Sequence, residues 1–312
     1  VLPELSLSPS IFCSSAFALP EVCAAHLQAL KNTFLEDALI HDLRSGDFCA
    51  AALGDANIHP KGKELMKKMI KKRRLFSVRS ALAATPVFPA DWVQEALESH
   101  KATPVSGIVA CGTAKQAFKS DNMIADVANC TSATWWGASV ARQSWNTART
   151  VAGYSHLLEP LLRHANSLVI IDPHFDPSVE RYQVLDQLLL PLRARTERPT
   201  VELHRVCYEG SGRNRNTLSN IAIEQRFSVL SDCLRAIGVV VEVFVWDDDH
   251  NRYLLTDLGD FLLGNGLDVS SSVGAQDTWS RIDRITADDI KRRHDPGVMA
   301  GKLRHRFVIG AQ

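Results

Sequence analysis

The strongest constraint on this chain's fold is a pattern in its second half, where short apolar runs alternate with amphipathic stretches. SLVIIDPHF (167–175), TVELHRVCY (200–208) and VVVEVFVWDD (239–248) read as buried strands. VERYQVLDQLLLPLRAR (179–195) and NTLSNIAIEQRFSVLSDCLRAIG (216–238) carry apolar residues at three- and four-residue intervals and read as helices, the second stopped by Gly238. Strands alternating with helices imply an α/β protein with a mixed, mostly parallel sheet flanked by helices.

The first half reads differently. EVCAAHLQALKNTFLEDALIHDL, KGKELMKKMIKKRRLF and DWVQEALESH have helical periodicity, and VSGIVACG alone suggests a strand. The expected organisation is a mainly helical N-terminal region, 1–150, followed by an α/β domain, 151–312, with a polar, mixed tail from about Val273. With 312 residues, 46% hydrophobic and 22% charged, the chain can bury a sizeable core. Lys plus Arg equal Asp plus Glu at 35 each, which excludes binding of nucleic acid by bulk charge and leaves local basic patches.

The seven cysteines are scattered, without a CxxC pair, as in a reducing compartment. The N-terminal stretch lacks the charged region of a signal peptide, and no run reaches the ~20 apolar residues of a membrane span. A soluble, cytoplasmic protein is expected. Walker A, GxGxxG and HExxH motifs are absent, so nucleotide hydrolysis, dinucleotide binding and zincin chemistry have no support.

The most informative segment is His250-Asn251-Arg252, four residues, Asp257, six residues, then Gly264-Asn265-Gly266. In an extended strand His250 and Arg252 would share a face, so that an imidazole and a cation project together, as attack on a phosphorus requires. The spacing resembles the phospholipase D superfamily signature, H-x-K, four residues, D, six residues, G-S-x-N. Arg252 replaces Lys, Asn265 replaces Ser and Leu267 replaces Asn. The strand–helix order upstream is similar to that of one family repeat, and the resemblance covers about 157–268. It implies His250 as nucleophile or general acid, Arg252 and Asn265 as phosphate holders, and Asp257 as the carboxylate supporting the histidine. It also implies a phosphohistidine route without metal or cofactor, and a second histidine from a twofold partner. Phospholipase D-like nucleases occur in bacterial defence systems, which makes a larger complex worth carrying. The competing expectation is a catalytically inactive module of the same fold that binds nucleic acid or anionic lipid, favoured by Arg252 and Leu267.

His59-Pro60-Lys61 repeats the H-x-K letters, but Met66 stands where the aspartate belongs. Asp172-Pro173-His174-Phe175-Asp176 has metal-ligand residue types, though a proline turn with capping acids is the plainer reading. Asp247-Asp248-Asp249 reads as a solvated turn, and His204, Trp135, Trp136 and Trp145 as core. Nucleic acid is the expected partner. Its contacts would be Lys67, Lys68, Lys71, Lys72, Arg73 and Arg74 on a basic helix from Lys61 to Arg79, and Arg213 and Arg215 in a loop. Lys291-Arg292-Arg293-His294 and Arg304-His305-Arg306 would add positive charge.

Overall fold

A computed structural model describes residues 2–210 and 214–311. The chain divides into two compact units, Leu2–Arg142 and 143–311, so the break falls at Arg142 rather than at residue 150.

The first unit is built on a parallel sheet, which corrects the expectation of a mainly helical region. Its strands are β1 (Glu4–Leu7), β2 (Leu39–Leu43), β3 (Leu75–Val78), β4 (Gly107–Ala110) and β5 (Ile124–Asp126), in the order β3-β2-β1-β4-β5. Helices α1 (Pro20–Asn32), α2 (Asp47–Gly54), α3 (Pro60–Lys71), α4 (Pro89–Ala102) and α5 (Gly112–Ala117) connect them. The central strands β1 and β4 are buried at every residue, as a covered parallel sheet requires. Such strands have no alternation to betray them. Leu39, Ile40 and Leu43 continue the three- and four-residue spacing of α1, which is why β2 reads as helix. His59 is the cap of α3, its Nδ1 accepting the Lys61 N–H at 3.1 Å, and is no part of a second motif.

In the second unit the order along the chain is β6 (Ser144–Ala148), α6 (Val151–His164), β7 (Ser167–Ile171), α7 (Leu185–Leu189), β8 (Thr200–Val206), the hairpin strands β9 (Tyr208–Glu209) and β10 (Asn216–Thr217), then α8 (Asn220–Phe227) and α9 (Ser231–Ile237). There follow β11 (Val241–Trp246), β12 (Tyr253–Thr256), β13 (Asp260–Leu263), β14 (Gln276–Arg281), α10 (Arg284–Arg293) and β15 (Leu303–Ile309). Eight strands form one sheet, β15-β11-β8-β7-β12-β13-β14-β6. β7, β8 and β11 are mutually parallel, and every other pairing is antiparallel. The expected mixed α/β sheet is therefore present, but it is mostly antiparallel rather than mostly parallel, since only the β7–β8 and β8–β11 pairings are parallel. Gly238, at φ +68°, ends α9 as its position after the periodic run suggests. The tail is more ordered than its polarity implies. β14, one strand in from the edge, buries Asp277 and Trp279 in alternation, while the edge strand β15 alternates half-buried with exposed residues and buries only Ile309. Among the described residues no helix is long and apolar enough to cross a membrane.

Three parallel strands ending together, with antiparallel β12 starting beside them, bring four loops to one end of the sheet. Open α/β sheets collect ligand-binding residues at such strand ends.

Packing in the first unit depends on one close approach. A Cβ on Gly107 would lie 2.3 Å from the buried indole of Trp135. Gly107→Ala should lower stability by about 1–3 kcal/mol, the usual cost of overpacking, seen as a lower urea midpoint for this unit.

Candidate functional site

Asp172, the first residue after β7, organises the strand ends. Its backbone N–H donates to the His204 carbonyl at 3.0 Å, extending the pairing with β8. Its side chain is fully buried, and Oδ1 accepts the His174 N–H at 3.1 Å, closing a tight turn around Pro173. The same Oδ1 lies 3.4 Å from Arg252 Nε. Above them passes Gly266 at φ +82°, where a Cβ would meet Asp172 Oδ2 at 2.2 Å and Arg252 Cδ at 2.9 Å. The DPH turn, the HNR segment and the GNG turn thus meet at one carboxylate.

The HNR segment is a loop, and the strand begins only at Tyr253. Asp249 shapes this loop. Its Oδ1 accepts the His250 N–H at 2.6 Å and the Asn251 N–H at 3.3 Å, while Oδ2 bonds His294 Nε2 at the end of α10. The acidic run is a turn between β11 and β12 with Asp248 exposed, as expected, but its carboxylates are engaged by protein groups. Asp247 pairs with Arg304, and Asp248 accepts from the Tyr208 hydroxyl at 2.5 Å. The His250 side chain is 67% exposed, with Nε2 at 3.7 Å from Asp248 Oδ2.

Two expected roles are corrected. Asp257 lies at the far end of β12, about 17 Å from Arg252 at the rise of an extended strand. It accepts from the Asn166 backbone at 2.8 Å and side chain at 3.0 Å, fastening the start of β7, and does not support His250. Asn265 gives both its backbone N–H (2.9 Å) and its side-chain Nδ2 (3.0 Å) to Asp277 Oδ1, so it holds the turn rather than a phosphate. Gly266 and Leu267 are the residues of that turn that reach the site.

Two residues that sequence reasoning left aside belong here. His174 is half-buried, with Tyr208 edge-on at 6.1 Å. Arg205 is 2% exposed; its Nε donates to the Val206 carbonyl at 2.8 Å and its Nη2 to that of Tyr208 at 3.3 Å, whereas Nη1 has no partner among the described residues. A charged residue inside the apolar run TVELHRVCY was the available signal. Its neighbour His204 faces the opposite side as core, accepting from Trp246 Nε1 at 3.0 Å and stacking on Phe244. Trp135, Trp136 and Trp145 are buried.

The electrostatics follow from this packing. Burial pushes the Asp172 carboxyl up to about 6, against the nearby Arg252 and the His174 N–H that favour its charge. Between about pH 4 and 6 the folded chain therefore holds a proton there that the unfolded chain releases. The stability this contributes at low pH is lost as pH rises through 6. His174 is held below the usual histidine range by burial and by the positive charges of Arg252, Arg205, His250 and Arg181. Burial raises the Asp176 carboxyl, but bonds from Ser178 and Arg226 outweigh it and leave it low. Asp172 and Asp176 thus face different cations, and no group of three His, Cys, Asp or Glu suited to a metal occurs among the described residues.

The basic residues separate into free and neutralised sets. α3 ends at Lys71, a turn follows, and Leu75–Val78 is strand rather than helix. Lys67, Lys71 and Arg73 are exposed and form no ion pair with any described residue. Lys68 pairs with Glu64 and Lys72 with Glu36, while Arg74 is buried 4.0 Å from Glu36. Arg215 lies over the Tyr208 ring at 4.3 Å and 3.4 Å from Asp248; Arg213 lies outside the described residues. Near the C-terminus, Lys291 pairs with Asp260, Arg292 and Arg293 with Asp289, Arg304 with Asp247, His305 with Glu224 and Arg306 with Glu242. These clusters are internally neutralised rather than a basic surface.

No family model matches the chain, and no curated protein matches it. Among solved structures, the archaeal chromatin protein TrmBL2, described as showing a novel mode of DNA binding, aligns over 82% of this chain and 86% of its own. Identity is 14% and the TM-score 0.29, a likeness too slight to bear on fold or function.

Arg252 stabilises the Asp172 carboxylate and opposes a proton on His174. Arg252→Gln should therefore raise both titration midpoints, Asp172 above 6 and His174 toward the ordinary histidine range, read by NMR of the two side chains.

Proposed function

We propose that the 143–311 unit is a phospholipase D-like, phosphodiester-directed module acting on nucleic acid, with Arg252 as the phosphate clamp and His250 as the reacting imidazole. The observation that carries this reading is the bracing of Arg252. Its Nε lies 3.4 Å from Asp172 Oδ1 as an ion pair without a hydrogen bond, the missing side chain of Gly266 leaves room for its stem, and its terminal nitrogens make no hydrogen bond with any described residue. A guanidinium held by its inner edge presents its outer fork to a planar or tetrahedral oxyanion. His250 lies two residues away in a loop fixed by Asp249, exposed to an incoming ester.

Nucleic acid is the polyanion this reading favours, since Lys67, Lys71 and Arg73 leave free positive charge on the first unit of a chain with no net charge. The inactive, binding-only alternative draws on Asp248, whose carboxylate stands 3.7 Å from His250 Nε2 and opposes an approaching phosphate.

Cleavage of single- or double-stranded DNA or RNA in EDTA, lost in His250→Ala, is the expected outcome. Binding without cleavage by either protein would replace it with the binding module. Independently, Lys67→Gln with Lys71→Gln should flatten the slope of log affinity against log salt by about 2 if both side chains touch duplex phosphates. An unchanged slope, with binding that instead tracks anionic lipid content in vesicles, would overturn the choice of nucleic acid.

A further inference from the structure

We propose that His174 is the general acid–base partner of His250, so that one chain carries both imidazoles of a phosphodiester-cleaving site. The inference rests on the reading of His250 and Arg252 given above and adds a residue that lies outside the H-x-R spacing.

The geometry begins at Asp172 Oδ1, which holds the His174 backbone at 3.1 Å and faces Arg252 Nε at 3.4 Å. The turn carrying His174 and the segment carrying Arg252 and His250 are thus fixed to one atom. The His174 ring packs edge-on to Tyr208, and neither ring nitrogen forms a hydrogen bond with a described residue. His174 is half-buried, and nitrogens not spent on a described residue are available to a ligand. The charge of the buried Arg205 also acts on His174.

Chemistry then assigns the role. When His250 attacks phosphorus, the new P–N bond forms as the P–O bond to the leaving group breaks, and an alkoxide leaves poorly unless a proton reaches it. Protonated His174 donates that proton. Neutral His174 then takes a proton from water as the water oxygen attacks phosphorus and the P–N bond breaks, regenerating His250 and releasing a phosphomonoester. One water is consumed and no oxidant or metal enters. The groups that act on His174 are the cations Arg252, Arg205 and Arg181 and the His250 imidazole, together with the Tyr208 ring and the Asp172 carboxylate behind its turn. In the free protein these cations disfavour its proton. A bound phosphodiester adds the negative charge that restores it.

The test uses the full chain in EDTA with two substrates. A single-stranded DNA oligonucleotide has an alkoxide leaving group; bis(p-nitrophenyl) phosphate releases a phenolate that needs no proton. His174→Ala and His174→Gln should lose about 10²–10⁴-fold on DNA. On the aryl ester they should release a burst of about one p-nitrophenolate per site at close to the wild-type rate and then stall, because hydrolysis of the P–N bond still needs the base, while His250→Ala gives no burst. On DNA the variants should also lose the fall in kcat at alkaline pH that a required acid produces. A burst at the wild-type rate shows that a variant is folded. Wild-type rates on DNA for His174→Gln, with His250→Ala inactive, would overturn this inference alone. A burst slowed as much as cleavage of DNA would likewise reject the acid role. Wild-type protein inert toward both substrates would overturn this inference and the cleavage reading together.

Discussion

A carboxylate removed from water demands compensation, and the strand ends of the second unit are arranged around Asp172 for that reason. Burial disfavours its charge, and Arg252 and the His174 N–H offset part of that cost and are themselves fixed in place. The net disadvantage that remains is roughly 3 kcal/mol, the equivalent of a rise of about two pH units. The absent side chain of Gly266 then lets a third loop close over the pair. A residue that touches no ligand in the proposed chemistry therefore decides where the ligand-touching residues stand.

Much of the second unit was legible because its strands are bounded by turn residues and its helices by caps. SLVII, TVELHRV and VEVFVW are the parallel strands that their composition implies. In the first unit the helices α1, α3 and α4 and the strand β4 were legible, but the other strands were not, because strands of three to five residues mimic fragments of helix. The tail was not legible because an edge strand such as LRHRFVI only half-buries alternate residues. At the site, the spacing of His250, Arg252 and Gly264 located the right loops but misassigned two roles. Asp257 and Asn265 both spend their hydrogen bonds on backbone geometry. His174 and Arg205 come from other strands, and tertiary proximity of that kind leaves no trace in local spacing.

Charge behaves similarly. A run of basic letters says little until its partners are known. The arginines of β15 and the basic end of α10 face acids on β11, β13, α10 and the adjoining loop, so they stitch elements together. Lys67, Lys71 and Arg73 face none, and free charge of that sort can act on a partner.

The sheet of the second unit has its earliest strand, β6, at one edge and its last, β15, at the other. The strands that carry the site occupy the interior. During synthesis the interior strands emerge while β11 still lacks its neighbour, and β6 waits more than a hundred residues for β14. Unpaired edges of this kind are templates for wrong partners. Closure of both edges falls to the final stretch of chain, from Gln276 to Ile309. A nascent chain stalled before that stretch would hold every proposed catalytic residue inside an unfinished, adhesive sheet.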